Sequence, residues 1–391
     1  MMDHAKLSAS SSHKWIHCPG SVPLEVGEPE STSTYAEEGR LAHEIGELKL
    51  RKAFIEPMGA RAFNAKLKKL QEHPQYNPEM LTTTDVYLNY ISEIAHACTS
   101  RPYVAVEKRL DFSAWVPEGF GTGDCVMLFG DSMWVNDYKH GKGVPVSAEN
   151  NSQMLLYALG AYAAYSLMFP IKTIHLAIIQ PRLSDEPSTW TLSVEDLLAW
   201  GEWVKPIAAT AASGDGECNS GEWCRFCRAK AKCRVRADNH TALEAFGGRK
   251  PPLLTNEEVG AVLAQAINIS TWVADLEEYA LTECLSGREV PGWKAVEGRS
   301  NRSFTDQEAA FKALRESGTP NEMLYERKPL TLTGVEELIG KPKFKTLLNQ
   351  YVVKPPGKPT LAPATDKREP IKTQSAREIF ATVEESKGDQ Q

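Results

Sequence analysis

Leu41, Ile45 and Leu48 recur every three to four positions, a period that predicts a helix from Tyr35 to about Phe54. A second helix is predicted from about Thr83 to Ala97. The period then falls towards two. Tyr103 to Leu110, Gly123 to Phe129 and Met133 to Tyr138 read as strands, the last two joined by a Gly130-Asp131-Ser132 turn. Ser147 to Met168 is an apolar helix rich in alanine and leucine. Lys172 to Gln180 is a further strand ended by Pro181, Thr189 to Leu192 a short fifth strand, and Val194 to Ala212 another helix. The order helix, three strands, helix, strand predicts an α/β (α+β) domain over residues 1–245, with a mixed central sheet flanked by helices.

On either side the pattern weakens. Residues 1–33 are rich in Ser, Pro and Gly and carry one short motif, Trp15-Ile16-His17-Cys18-Pro19-Gly20. A Gly-Gly-Arg-Lys-Pro-Pro linker at 247–252 leads into a mostly helical accessory domain over 253–349, with an extended stretch at Trp293 to Phe304. The tail, 350–391, is rich in Pro, Lys and Thr and is predicted to be disordered, with Ala376 to Glu385 able to fold as a short amphipathic helix on a partner.

The 391 residues suffice for two domains, and 42% hydrophobic with 24% charged residues is ordinary for a globular chain. The most apolar stretch, around Leu155 to Ile179, is broken by Pro170, Lys172 and His175, and the N-terminus has no apolar signal core, so a cytoplasmic protein without a membrane contact is expected. A net charge of −7 is unlike a nucleic-acid binder, but binding follows local charge. Basic clusters stand at Arg225, Arg228, Lys230, Lys232, Arg234 and Arg236, and at Lys341, Lys343 and Lys345.

Asp137 and Lys139 lie two apart on a predicted strand and so project from one face. Asp124 sits at the start of the preceding strand, across the hairpin. Two carboxylates and an ammonium at one point suit phosphodiester hydrolysis: the carboxylates hold Mg²⁺ or Mn²⁺, and the lysine orients the attacking water. Gln153 and Tyr157, four apart, share a face of the next helix. On the first helix, His43 offers an imidazole that favours Mn²⁺ over Mg²⁺.

In chain order these residues resemble the RecB-like branch of the PD-(D/E)XK nucleases: a helical His (His43), an Asp (Asp124), Asp-x-Lys (Asp137, Lys139) and Gln-x-x-x-Tyr (Gln153, Tyr157). The resemblance spans roughly residues 35 to 235. It implies a restriction-endonuclease-like fold and a metal-dependent DNA nuclease, with the Tyr138 carbonyl as a further metal ligand. Glu107 stands where some relatives carry another acidic residue; its role is open.

Three of the eight cysteines, Cys224, Cys227 and Cys233, fall within ten residues, and clustering in a reducing compartment points to metal ligation. A fourth ligand is needed. Cys218 would make a local zinc knuckle, and Cys18 a long-range clasp. The spacing resembles iron–sulfur nucleases of the AddB and CRISPR-adaptation type, which implies a [4Fe–4S] cluster on Cys18, Cys224, Cys227 and Cys233. Cys218 would then be a bystander, and Cys98, Cys125 and Cys284 core or surface thiols.

The chain also resembles a family of phage and prophage proteins, through Ser11-Ser12-His13-Lys14-Trp15-Ile16-His17-Cys18-Pro19-Gly20-Ser21, Val296 to Arg302 and Lys354 to Leu361. Together these readings imply an exonuclease acting in phage DNA recombination or end processing, with a recombination or single-strand-binding protein as partner of the tail. The alternative is a catalytically silent DNA-binding accessory protein on the same fold.

Overall fold

The computed structural model describes residues 5–29, 34–246, 254–266, 268–297, 305–318, 320–325, 330–348 and 351–352. Two short helices open the chain, α1 (Ser12–His17) and α2 (Ser21–Leu24), followed by α3 (Thr34–Leu50), α4 (Ala60–Gln71) and α5 (Glu79–Ala97). Five strands follow: β1 (Tyr103–Asp111), β2 (Phe120–Phe129), β3 (Ser132–Tyr138), β4 (Thr173–Ile179) and β5 (Ser188–Ser193). They form one mixed sheet, as the pattern predicts, in the order β1-β2-β3-β4-β5 and antiparallel throughout except for β3 with β4. A parallel pair needs a crossover, and α6 (Ser152–Tyr165) supplies it. After β5 come α7 (Val194–Ser213) and, beyond the cysteines, α8 (Arg234–Thr241).

Each face of the sheet has its own core. On one side Val126, Leu128, Met133, Val135, Ile174 and Leu176 pack with Trp15 of α1, Leu155 and Leu159 of α6, and Leu197 and Val204 of α7. On the other, Val106, Cys125, Met127, Tyr138 and Ile179 pack with Leu41 and Ile45 of α3 and Met80, Tyr87 and Ile91 of α5. Each fully buried aliphatic side chain contributes roughly 1.5–3 kcal/mol. Helix α6 is buried almost all round, which is why its sequence reads as a continuous apolar run.

Local chemistry fixes the ends. Helix α6 begins at Ser152, five residues after the expected start, because the Asn151 side chain accepts the Met154 N–H. Ser193 caps α7 by accepting the Asp196 N–H, and Gly214 at φ +86° ends it. Helices α1, α2, α4 and α8 had no predicted counterpart. Four to eight residues are too few to show a period, and α4 hides Phe63, Leu67 and Leu70 in a lysine-rich stretch.

Strand β2 begins at Phe120, earlier than expected, so Asp124 lies in mid-strand rather than at a strand start. There the alternation breaks. Val106 packs on the α3/α5 side, yet Leu110, four residues on, packs on the α6 side. Opposite, Cys125 faces α3 and α5 while a Cβ on Gly123 would meet Leu110 at 2.7 Å. The phase changes at Glu107, whose φ is +48°.

By contacts the chain divides into two compact units, 1–296 and 297–391. The region expected as one accessory domain, 253–349, is thus shared between them. In the first unit, α9 (Asn256–Gln265) and α10 (Ile269–Leu285) follow α8, and Asp275 of α10 pairs with Lys230 and Arg236 at 2.7 and 2.6 Å. The second unit contains α11 (Gln307–Glu316), α12 (Leu332–Ile339) and α13 (Lys341–Leu348). Of the expected extended stretch, 293–297 has no regular structure. Residues 298–304, the 247–252 linker and the tail from 353, with its Lys354–Leu361 and Ala376–Glu385 segments, lie outside the described residues.

The run Asn256–Leu285 is long and apolar enough by length and composition to cross a membrane, contrary to the expectation that no stretch resembles a span. Asn268, at φ +64°, interrupts it, and Asp275 is held in ion pairs.

Candidate functional site

The end of β3 brings the predicted residues together. Asp137, 2% exposed, faces α6, and Lys139 Nζ stands 2.9 Å from its Oδ2. The Gln153 amide joins the set from the first turn of α6. Its Nε2 donates to Asp137 Oδ1 and to Tyr157 Oη, both at 3.3 Å, and its Oε1 accepts from Lys139 Nζ at 3.4 Å. Tyr157 reaches this position because residue 121 is glycine: a Cβ there would lie 2.7 Å from the Tyr157 ring.

Asp124 approaches from β2. Its Oδ2 accepts the Tyr138 backbone N–H at 2.8 Å and lies 3.4 Å from His43 Nδ1 on α3. Tyr138 turns its ring to the other face, where the hydroxyl donates to Thr83 and meets His140 Nδ1 at 2.9 Å. Glu107 completes the cluster. One ligand atom each from His43, Glu107 and Asp124 lie within 4.8 Å of one another. Sequence marked Glu107 only as an acidic residue ahead of the hairpin; its left-handed backbone, which no sequence period reports, brings the carboxylate here.

The electrostatics are those of crowded anions. Burial, then the Asp124 charge, push Glu107 up to about 8. Burial works against the His43 cation, but Asp124 raises it to about 9. Burial also opposes the Asp124 charge, yet His43 and Lys139 hold that carboxyl below its usual range. Asp137 is raised, by burial and then Asp124, against the pull of Lys139. The His43 imidazole with the Glu107 and Asp124 carboxylates forms a donor set that fits a hard divalent cation, and Asp137 lies outside that group.

A second cluster lies around α1. A small cavity is lined by Cys18, Cys224, Cys227 and Cys233, with Lys14, Lys230 and Arg236 among its walls. Cys218 is not in that lining; it packs where a Cβ on Gly20 would lie 2.7 Å from its sulfur. Asn219 N–H donates to Cys18 Sγ at 3.2 Å and Gly221 N–H to Cys224 Sγ at 3.4 Å. Among the described residues no three cysteine sulfurs lie within 4.8 Å of one another, whereas thiolates on one tetrahedral zinc stand about 3.8 Å apart. Of the others, Cys125 is buried in the sheet core, and Cys98 and Cys284 are half-buried.

The basic run around these cysteines is largely neutralised within the fold. Lys230 and Arg236 pair with Asp275, Lys232 with Glu28 at 2.6 Å, and Arg228 lies 3.9 Å from Glu25. Arg225 and Arg234 make no ion pair among the described residues.

A family described as a protein of unknown function, DUF2800, matches residues 4–369. The chain belongs to that family. Solved structures similar to this DUF2800 protein include SSO0001, at 11% identity over 60% of this chain and 89% of that one, TM-score 0.27. LHK-Exo in complex with dAMP matches at 12% over 45% and 91%, TM-score 0.24. An alkaline exonuclease (LHK-Exo) from Laribacter hongkongensis matches at 12% over 44% and 86%, TM-score 0.23. Likeness at this level says nothing about chemistry at the site.

Proposed function

We propose that this DUF2800 protein is a metal-dependent DNA nuclease. The observation that carries the reading is the convergence of Asp124, Asp137, Lys139, His43 and Glu107 at the end of β3, with Gln153 bridging Asp137, Lys139 and Tyr157. A surface Asp-x-Lys pair needs no such surroundings.

His43, Asp124 and Asp137 would hold the cation, with Glu107 and the Tyr138 carbonyl as additional donors. Bound there, Mg²⁺ or Mn²⁺ supplies Lewis-acid polarisation of a phosphate and a more acidic water. The chain does the rest. Lys139, kept charged by Asp137 and Asp124, orients the attacking water and steadies negative charge building on the phosphate oxygens. Gln153 fixes the Lys139 and Asp137 side chains in one geometry, and Tyr157 lends its hydroxyl to the same network.

The cysteine cavity is proposed as the seat of a [4Fe–4S] cluster on Cys18, Cys224, Cys227 and Cys233. The presence of these four thiols in one lining supports that over a Cys218 zinc knuckle. The cluster would clasp α1 to the segment after α7. Ser12 Oγ lies 2.7 Å from Ser152 Oγ at the start of α6, so the clasp also steadies the helix that carries Gln153.

DNA end processing in a phage setting, with a recombination or single-strand-binding partner for the tail, completes the proposal. It rests on the family resemblance alone.

The test is cleavage of linear DNA in Mn²⁺ by the wild-type protein and by Asp137→Ala and Lys139→Ala, with folding checked by circular dichroism. Loss of cleavage in both, with folding unchanged, is expected. DNA binding without turnover in the wild type would instead favour a silent accessory protein.

A further inference from the structure

We propose that helix α4 is a docking surface for the DNA backbone, leading substrate to the site on α3; this rests on the nuclease reading and adds to it where the polymer lies. Helix α4, Ala60–Gln71, carries Arg61, Lys66, Lys68 and Lys69 and no acidic residue, in a chain whose net charge is −7. Its apolar positions Phe63, Leu67 and Leu70 recur at four and three residues and are half-buried, and Leu67 and Leu70 pack against the α3/α5 core. The four cations occupy the remaining arc and are exposed.

These cations differ from those beside the cysteines. Lys230, Lys232 and Arg236 are held by Asp275 and Glu28, whereas among the described residues Arg61, Lys66, Lys68 and Lys69 make no ion pair. An unpaired cation gains by displacing counterions from a polyanion, while a paired one must first give up its carboxylate. The fold thus pairs Lys230, Lys232 and Arg236 of one basic run and leaves all four cations of α4 available.

Position favours DNA over an anionic membrane. A π-helical turn, Arg51–Ile55, continues α3 towards α4, and the Lys52 ammonium sits 4.1 Å over the Phe63 ring, pinning the two helices together. His43 to Arg51 is about 12 Å along the helix axis, the span of a few nucleotides. Helix α4 in turn packs against α3, the helix that carries His43, so a strand crossing α4 runs beside the element that bears the cation donors. The apolar stripe of α4 is turned into the protein, so it offers a membrane nothing but charge.

The experiment compares full-length wild type with a variant carrying Arg61→Gln, Lys66→Gln, Lys68→Gln and Lys69→Gln. Glutamine keeps helix propensity, and all four sites are exposed. Binding to a fluorescent single-stranded oligonucleotide is measured over a range of salt without divalent metal, and cleavage of long and dinucleotide substrates with Mn²⁺. The variant is expected to lose at least about tenfold in affinity and about 3 in the slope of log K against log salt, near 0.7 for each phosphate no longer neutralised. Cleavage of the dinucleotide is expected to be unchanged. A matching variant with arginine at 66, 68 and 69 is expected to bind like wild type.

Equal affinity and slope in wild type and the glutamine variant overturn the proposal while leaving the nuclease reading intact. Absence of cleavage with the α4-dependent binding retained overturns the nuclease and spares the docking surface. Binding of wild type to vesicles of phosphatidylserine and phosphatidylcholine, abolished in the glutamine variant while oligonucleotide binding is kept, would make α4 a membrane surface and overturn the DNA assignment.

Discussion

Glu107 and Asp124 stand opposite one another on β1 and β2, between the pairs Val106 with Cys125 and Lys108 with Gly123, where both strands change phase. A left-handed glutamate in a strand costs roughly 1 kcal/mol or more. Glu107→Gly is therefore expected to raise the melting temperature of the metal-free protein by a few degrees while weakening Mn²⁺ binding at least about tenfold. Calorimetric unfolding and metal titration on one sample check both halves. A variant that loses stability with metal affinity unchanged would mean that Glu107 serves the fold alone.

The raised proton affinities of His43 and Glu107 set a pH dependence. Both groups bind protons more tightly folded than unfolded, so stability falls as pH rises. Glu107 acts as pH climbs from its ordinary value of 4.5 through about 8, and His43 from 6.5 through about 9. The metal-free protein is expected to lose melting temperature steadily between about pH 6 and 9. Saturating Mn²⁺ is expected to flatten that loss and to release protons on binding, measurable by titration calorimetry in buffers of different ionisation heat.

Gly121→Ala tests the seat of Tyr157. The new Cβ would meet the ring at 2.7 Å, and overpacking of this kind costs about 1–3 kcal/mol. Because Tyr157 accepts from the Gln153 amide, cleavage is expected to fall through kcat rather than KM. Gly39→Ala, with open space around it, is the control.

Lys14 and Glu25 form a buried pair, 2.6 Å from Nζ to Oε2, beside the cysteine cavity, and Glu25 also accepts the Arg228 N–H. Glu25→Gln leaves Lys14 buried and uncompensated and is expected to cost about 3–5 kcal/mol. The double change Lys14→Met with Glu25→Gln is expected to recover part of that. Urea denaturation of both variants measures it.

Cys18→Ser and Cys218→Ser separate the two cysteine schemes. Anaerobically purified wild type is expected to absorb broadly near roughly 400 nm; Cys18→Ser is expected to lose the band and Cys218→Ser to keep it. A colourless, zinc-containing wild type would defeat the cluster.

Periodicity marked out the sheet and its order of elements, because alternation and the 3.6 period are local properties of a chain with two separate cores. Asp137, Lys139, Gln153 and Tyr157 were legible for the same reason: two apart on a strand, or four apart on a helix, fixes a shared face whatever surrounds it. Glu107 was not, since strict alternation places it wrongly and only its left-handed backbone turns it to Asp124. The ion pairs of the basic run at 225–236 were not legible, because its partners Glu25, Glu28 and Asp275 are far away in sequence.

The sequence by itself determined which chemistry the chain carries: an acidic pair with a lysine, a histidine on a helix, and a set of clustered thiols. Tertiary structure alone decided that Glu107 joins His43 and Asp124, and that Lys230, Lys232 and Arg236 are ion-paired while, among the described residues, the α4 cations are not. The reason is the same in each case. Ligand geometry and charge neutralisation depend on distances across the fold, and spacing along a chain carries no measure of them.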